Sequence, residues 1–217
     1  MWAIALATVA ALGFPGAAHP AARPVILYGD SLAAESQQVL VRDLRHAFPH
    51  APIGTGAYDG TAPCDWLPTM PDTAKLHPQL VILAFSGNDS TPCTGAGRLR
   101  RTDYDRLWAK NLHVVVGFWL KHHAAVLLVG PPGRVVPYPG DYFTTIDTIA
   151  KREADHDGAH VGYLDSGAAL RDPKHHRYRT RLACLPSERR DHRCAPDGTI
   201  LVRSADGFHL CNQPANP

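Results

Sequence analysis

The sequence predicts an α/β fold: a three-layer sandwich with a mostly parallel central sheet between helices. Short, almost unbroken apolar runs have the composition of strands buried on both faces, and the segments between them carry apolar residues at helical spacing. Strand and helix alternate at least three times, which implies right-handed crossovers in an open sheet. With 45% apolar and 19% charged residues, a chain of 217 suits one globular domain, and 18 glycines and 19 prolines leave room for many turns.

The elements follow in order. Val25-Ile26-Leu27-Tyr28 is a β-branched and aromatic run that ends at Gly29, and Leu32 to Phe48 has helical spacing. Leu80 to Phe85 is continuous enough for a central parallel strand and stops at Ser86-Gly87. Asp103 is placed to cap a helix that aligns Tyr104, Leu107, Trp108, Leu112, Val115, Val116 and Trp119 on one side. Ala124 to Val129 supplies another strand before the breaker run Gly130-Pro131-Pro132-Gly133. A helix over about Tyr142 to His156 then leads to a strand at Val161 to Leu164. Beyond Asp165 periodicity fades, and a disulfide-stapled basic excursion at about 165–205 is expected within one domain spanning 24–217.

Twenty-two basic against twenty acidic residues give a formal charge of +2, too little for the global field of a nucleic-acid binder. Trp2 to Phe14 is apolar and is followed by Gly16-Ala17-Ala18, which predicts a secretory signal over 1–18, although no Lys or Arg precedes the run. The run is shorter than the roughly 20 residues that span a bilayer as a helix. A secreted or extracytoplasmic location follows as the expectation. The cysteines Cys64, Cys93, Cys184, Cys194 and Cys211 contain no C-x-x-C pair and so no zinc or thioredoxin signature. In an oxidising compartment they imply two disulfides and an odd thiol. Nearest-neighbour pairing would join Cys64 to Cys93 and Cys184 to Cys194, with other connectivities open.

In an open α/β sheet ligands bind beyond the carboxyl ends of the strands. Here those positions hold Gly29-Asp30-Ser31 and Gly87-Asn88-Asp89, and near the end of the chain stands Asp206-Gly207-Phe208-His209. Each has a plainer reading by itself: Ser31 as a helix cap, Asn88 as a turn residue, His209 as a surface histidine. Together they have another. A carboxylate three residues before a histidine can hold one imidazole nitrogen and leave the other for a serine hydroxyl.

With these blocks in this order, the sequence from about Pro24 to Cys211 resembles the SGNH, or GDSL-type, hydrolases. Tyr28-Gly29-Asp30-Ser31 is similar to that family's first block, Gly87-Asn88-Asp89 to its third and Asp206 to His209 to its last. The resemblance implies a serine esterase in which Ser31 is the nucleophile, His209 the general base and acid, and Asp206 the residue that orients His209. It implies an oxyanion hole from the Ser31 N–H, a glycine N–H and the Asn88 side chain. Gly60, in Asp59-Gly60-Thr61, fits the glycine best, with Gly56 second. The second block is the least faithful, and with eight residues after His209 the closing helix often found in the family is missing or vestigial. A Cys64–Cys93 bridge would tie together the loops that carry the oxyanion donors.

The expected substrate is a small acyl ester or acylated glycan, with short-chain or O-acetyl groups on an extracellular or cell-envelope polymer. An acyltransferase, a lipase and a non-catalytic glycan-binding protein are the alternatives. The tract from Arg171 to Arg193 is either a solvated excursion or a landing surface for an anionic envelope. Tyr58, Trp66 and Trp108 are candidates for a sugar-stacking or acyl-lining face, although Trp108 lies on the apolar stripe of its helix and reads more as core. His175, His176 and His192 form a weak cluster, and neither a metal nor another cofactor is expected. The protein is expected to act as a monomer.

Overall fold

The structure is a computed structural model that describes residues 22–134, 143–172, 174, 177–204 and 206–210. The expected signal over 1–18, His175, His176, Cys211 and the tail that follows it lie outside the described residues.

A five-stranded sheet forms the middle layer. Its strands are β1 (Val25–Gly29), β2 (Ile53–Ala57), β3 (Leu80–Ala84), β4 (Ala125–Gly130) and β5 (Val161–Asp165). They lie in the order β2-β1-β3-β4-β5, every neighbouring pair parallel. The helices are α1 (Ser31–Ala47) after β1, the short α2 (Met70–Ala74), α3 (Arg101–Lys121) after β3 and α4 (Phe143–Asp157) after β4.

Strand alternation sorts the apolar side chains between two cores. Ile26, Tyr28, Val81, Leu83, Val126 and Leu128 face Trp108, Val115 and Trp119 of α3 and Ile146 and Ala150 of α4. Val25, Leu27 and Ile82 point the other way, toward Leu44 of α1. Helices on opposite faces make the three layers. Because the chain turns from β1 outward in both directions, the crevice at the carboxyl ends of β1 and β3 is the topological switch point of the sheet.

Two local outcomes differ from the sequence expectations. The strand β2 has no apolar run to announce it, because Gly54 and Gly56 hold two of its five positions. Both glycines make room: a Cβ on Gly54 would come within 2.7 Å of Ile26 Cδ1, and one on Gly56 within 2.8 Å of the Trp66 ring. The helix α3 starts at Arg101, before Asp103, so Asp103 does not cap it. Asp103 instead lies in the first turn and pairs with Arg100 and Arg106. Trp108 is 1% exposed and belongs to the core, as its place on the apolar stripe implied, and so offers no stacking surface.

After β5 the chain forms two small antiparallel sheets. One pairs β6 (Arg171–Asp172) with β7 (Arg177–Tyr178), and the other pairs β8 (Arg181–Ala183) with β9 (Thr199–Leu201), the short helix α5 (Pro186–Arg190) lying between the latter two strands. Disulfides join Cys64 to Cys93 and Cys184 to Cys194. The second closes the turn that carries α5. Part of the basic tract is balanced locally, Arg171 against Asp165 at 2.8 Å and Arg181 against Asp197 at 3.9 Å. Among the described residues no helix is long and apolar enough to cross a membrane.

Candidate active site

The site begins where β1 stops. At Gly29 a Cβ would come within 2.6 Å of Ala84 O and 2.3 Å of Ala33 Cβ, so only glycine lets β1, β3 and α1 close together there. Asp30 follows, fully buried, and caps α1 by accepting from Leu32 N at 3.2 Å. Its other oxygen accepts from Ser86 N and Ser86 Oγ, both at 2.6 Å, and from Asn88 Nδ2 at 3.2 Å. One buried carboxylate therefore stitches the end of β1 to the segment after β3. Burial pushes the Asp30 carboxyl up, and the bonds from Ser86 and Leu32 work against that rise.

Because Asp30 is the cap, Ser31 is the first residue of α1 and its hydroxyl is not the capping group. Ser31 is half-buried. Asn88 donates from Nδ2 to Thr61 O at 3.0 Å as well as to Asp30. The Tyr58 to Thr61 turn is held to the end of β1 by Tyr58 N and Thr61 Oγ1, which donate to Gly29 O at 3.2 and 3.0 Å. Gly60 occupies this turn at φ 73°, a backbone conformation suited to glycine. Gly56 sits inside β2, paired with Tyr28, with the Trp66 ring against it.

The last block folds as a small loop. Asp206 Oδ2 lies 2.6 Å from His209 Nδ1, while Asp206 Oδ1 accepts from Phe208 N at 2.8 Å and His209 N at 3.0 Å. Burial works to raise the Asp206 carboxyl, but the bonds from Ser204 and His209 and from the N–H groups of Phe208 and His209 hold it well below the usual carboxylate range. With Nδ1–H given to Asp206, Nε2 is the accepting nitrogen of the neutral ring.

Two residues unforeseen in the sequence place this loop. Glu35 Oε2 accepts from Leu210 N at 2.8 Å. Glu35 lies four residues after Ser31 and so on the same face of α1, one turn along. Arg203, 1% exposed, donates from Nη1 to Phe208 O at 2.6 Å and from Nη2 to Pro132 O and Gly133 O at 2.6 and 2.9 Å. The guanidinium thus fastens the last block to the loop after β4. The Phe208 ring also stacks on Phe143 at the start of α4, with centroids 5.1 Å apart.

The structure therefore gathers Ser31, Asn88 and the Gly60 turn at the ends of β1 and β3, joins Asp206 to His209, and ties the loop that carries them to the turn of α1 after Ser31. No hydrogen bond joins Ser31 Oγ to His209 among the described residues. The hydroxyl and the imidazole belong to adjoining segments, joined through the bond from Leu210 N to Glu35.

A different group has the proximity to hold a metal. One ligand atom from each of His113, Glu153 and Asp157 lies within 4.8 Å of the others, and His113 Nδ1 is 2.8 Å from Glu153 Oε1. It bridges α3 and α4. Glu153 is ten residues along α4 from Phe143, about 15 Å of helix, toward the amino ends of the strands. It belongs to the helical layer and is separate from the Ser31 crevice.

Compared by sequence, the chain matches no family profile and no curated protein. Compared by structure, it is similar to LAE5, described as an alpha/beta hydrolase enzyme from the metagenome of Lake Arreo, Spain, with 15% identity, 88% of this chain and 89% of that one covered and a TM-score of 0.57. It is also similar to the acetyl xylan esterase AlAXEase, at 15% identity, 87% and 92% coverage and a TM-score of 0.54. A third likeness is a GDSL-like lipase from Bacteroides thetaiotaomicron, at 13% identity, 85% and 82% coverage and a TM-score of 0.51. At such identities the likeness is one of fold.

Proposed function

We propose that the protein is a serine ester hydrolase of the SGNH type, exported from the cell, that cleaves short acyl groups through an acyl-enzyme on Ser31. The observation that carries this reading is the bond from Leu210 N to Glu35, which ties the Asp206–His209 pair to the helix whose first residue is Ser31. Ester cleavage by proteins of similar fold supports it, and two disulfides suit an oxidising compartment.

In this reading His209 Nε2 takes the Ser31 proton as Oγ attacks the ester carbonyl, and Asp206 keeps the ring oriented. The Ser31 N–H at the start of α1, the Gly60 N–H and Asn88 Nδ2 receive the negative charge that develops on the carbonyl oxygen. The amide hydrogens of Asn88 already bond Thr61 and Asp30, so the longer bond, 3.2 Å to Asp30, is the one exchanged for the oxyanion. His209 then protonates the departing alcohol. Water, deprotonated by the same nitrogen, resolves the acyl-enzyme.

The test is hydrolysis of p-nitrophenyl acetate, butyrate, octanoate and palmitate by the protein and by Ser31→Ala. Turnover of the acetate and butyrate that disappears in the variant, together with labelling of Ser31 by an organophosphorus probe, is the expected result. Undiminished turnover in Ser31→Ala would end the serine mechanism, and a preference for palmitate would replace the short-acyl assignment with a lipase.

A further inference from the structure

Tyr58 is the aromatic member of the exposed large apolar side chains among the described residues, and 65% of it is open. An exposed tyrosine ordinarily swings on χ1 and χ2. This one lies nearly face to face on Trp66, with ring centroids 5.5 Å apart and planes 15° from parallel. Trp66 rests in turn on the buried Tyr28, with centroids 5.0 Å apart, and fits against β2 only because Gly56 has no side chain. Two residues before Trp66, Cys64 is bonded to Cys93. Three rings therefore run from the core to the surface, Trp66 tilted 56° on Tyr28 and Tyr58 nearly face to face on Trp66, so the outermost ring is backed by an anchored one.

That ring stands at the candidate site. The Tyr58 N–H bonds Gly29 O, two residues before Ser31, and Thr61, whose carbonyl accepts from Asn88, closes the same turn. We propose that the outer face of Tyr58 is a subsite for a pyranose ring of a neutral glycan, the sugar that bears the acyl ester or its neighbour. The chemistry favours that ligand. A pyranose ring has a flat face of C–H groups that packs on an aromatic face and a rim of hydroxyls that need polar partners. Tyr58 supplies such an apolar disc, and the exposed Asp59 next to it supplies a carboxylate that accepts from hydroxyls. A long acyl chain would need a continuous apolar trough, and an anionic polymer would meet the Asp59 carboxylate with the wrong sign.

The assignment rests on the ester-hydrolase reading for its place beside Ser31, so it is tested by binding, where failure of the ester chemistry leaves the result intact. Ser31→Ala protein is titrated calorimetrically with cellohexaose, xylohexaose, chitohexaose, maltohexaose and an oligogalacturonate, alone and combined with Tyr58→Ala or Tyr58→Phe. The expected result is binding of at least one neutral hexaose, weakened tenfold or more by Tyr58→Ala and kept within about threefold by Tyr58→Phe, with Trp emission changing in step. Binding that persists in Tyr58→Ala, binding of the oligogalacturonate alone, or no binding of any hexaose would overturn the subsite. Binding as expected in a protein whose wild type cleaves no p-nitrophenyl ester would keep the subsite and remove the hydrolase.

Discussion

Ser31 and Asn88 stand at the ends of β1 and β3, neighbours in a fully parallel sheet, whereas Asp206 and His209 stand on a loop with no place in that sheet. The first pair inherits its position from the strand ladder and from a buried carboxylate that accepts four hydrogen bonds. The second inherits its position from a handful of polar clamps between a mostly half-buried loop and its neighbours. The difference teaches where damage will register. Substitutions on the strand side should unfold the protein, and substitutions on the loop side should leave it folded but slow.

The strongest test is Asp30→Ala. It removes the acceptor for Leu32 N, Ser86 N, Ser86 Oγ and Asn88 Nδ2 in a buried setting, where each orphaned donor costs about 1–3 kcal/mol. A loss of about 3 kcal/mol or more is expected, and at about 2–4 °C per kcal/mol for a domain of this size Tm should fall by roughly 10 °C. An unchanged Tm would show that the two strand ends hold together without the carboxylate, and the comparison would collapse.

Arg203→Met comes next and should separate the two halves. The methionine keeps much of the buried volume but leaves the carbonyls of Phe208, Pro132 and Gly133 without their charged donor. We expect a stability loss of about 2 kcal/mol, but a fall of about 100-fold in kcat on p-nitrophenyl acetate, measured where the variant is folded. Partial recovery in Arg203→Lys would support a positioning role. Activity that falls only as far as the folded fraction falls would show that Arg203 merely stabilises.

What could be read in the sequence followed the same division. The strands β1, β3 and β4 were legible because their apolar runs are long and β-branched, and with them the loops at their carboxyl ends, where Ser31 and Asn88 stand. The pairing of Asp206 with His209 was legible through their spacing. The strand β2 was not, since Gly54 and Gly56 remove the side chains that give a strand its pattern and instead admit Ile26 and Trp66. Arg203 had no signal: its partners are backbone carbonyls, two of them some seventy residues away, and nothing in side-chain chemistry marks them. Asp30 had no signal of its own beside Ser31, because the bonds that define it come from Ser86 and Asn88 across the sheet. Main-chain acceptors and long-range donors are what a linear pattern hides.

Acid should act on the loop through Asp206, whose carboxyl is held below its ordinary value by the bonds from Ser204, His209 and two backbone N–H groups. A carboxyl depressed in the folded state adds stability that is complete above its unfolded value, about 3.9, and is lost as pH falls toward the lower native value. The His209 geometry should therefore survive at pH 4, where a free carboxyl is half protonated. Thermal melts from pH 6 to pH 2.5 should show the difference between wild type and Asp206→Asn shrinking only below about pH 4. A difference that vanishes near pH 5 would mean that the native carboxyl is not depressed.

The smallest effect, and the sharpest for the comparison, belongs to Glu35. Its carboxylate reaches Leu210 N from a half-buried turn of α1, and a single hydrogen bond of this kind is worth about 1 kcal/mol net. Glu35→Ala should therefore shift Tm by no more than about 3 °C. Its effect on kcat should be larger than that figure suggests, a fall of about 10-fold, because the bond fixes how the Asp206–His209 loop meets the helix that begins with Ser31, and a misplacement near 1 Å can cost about 100-fold. Glu35→Gln keeps an acceptor at the same reach and should recover most of the loss. If Glu35→Ala lowers Tm substantially while kcat of the folded protein is unchanged, the loop is placed by Arg203 and the Phe208 stack alone, and α1 contributes Ser31 without governing its alignment with His209.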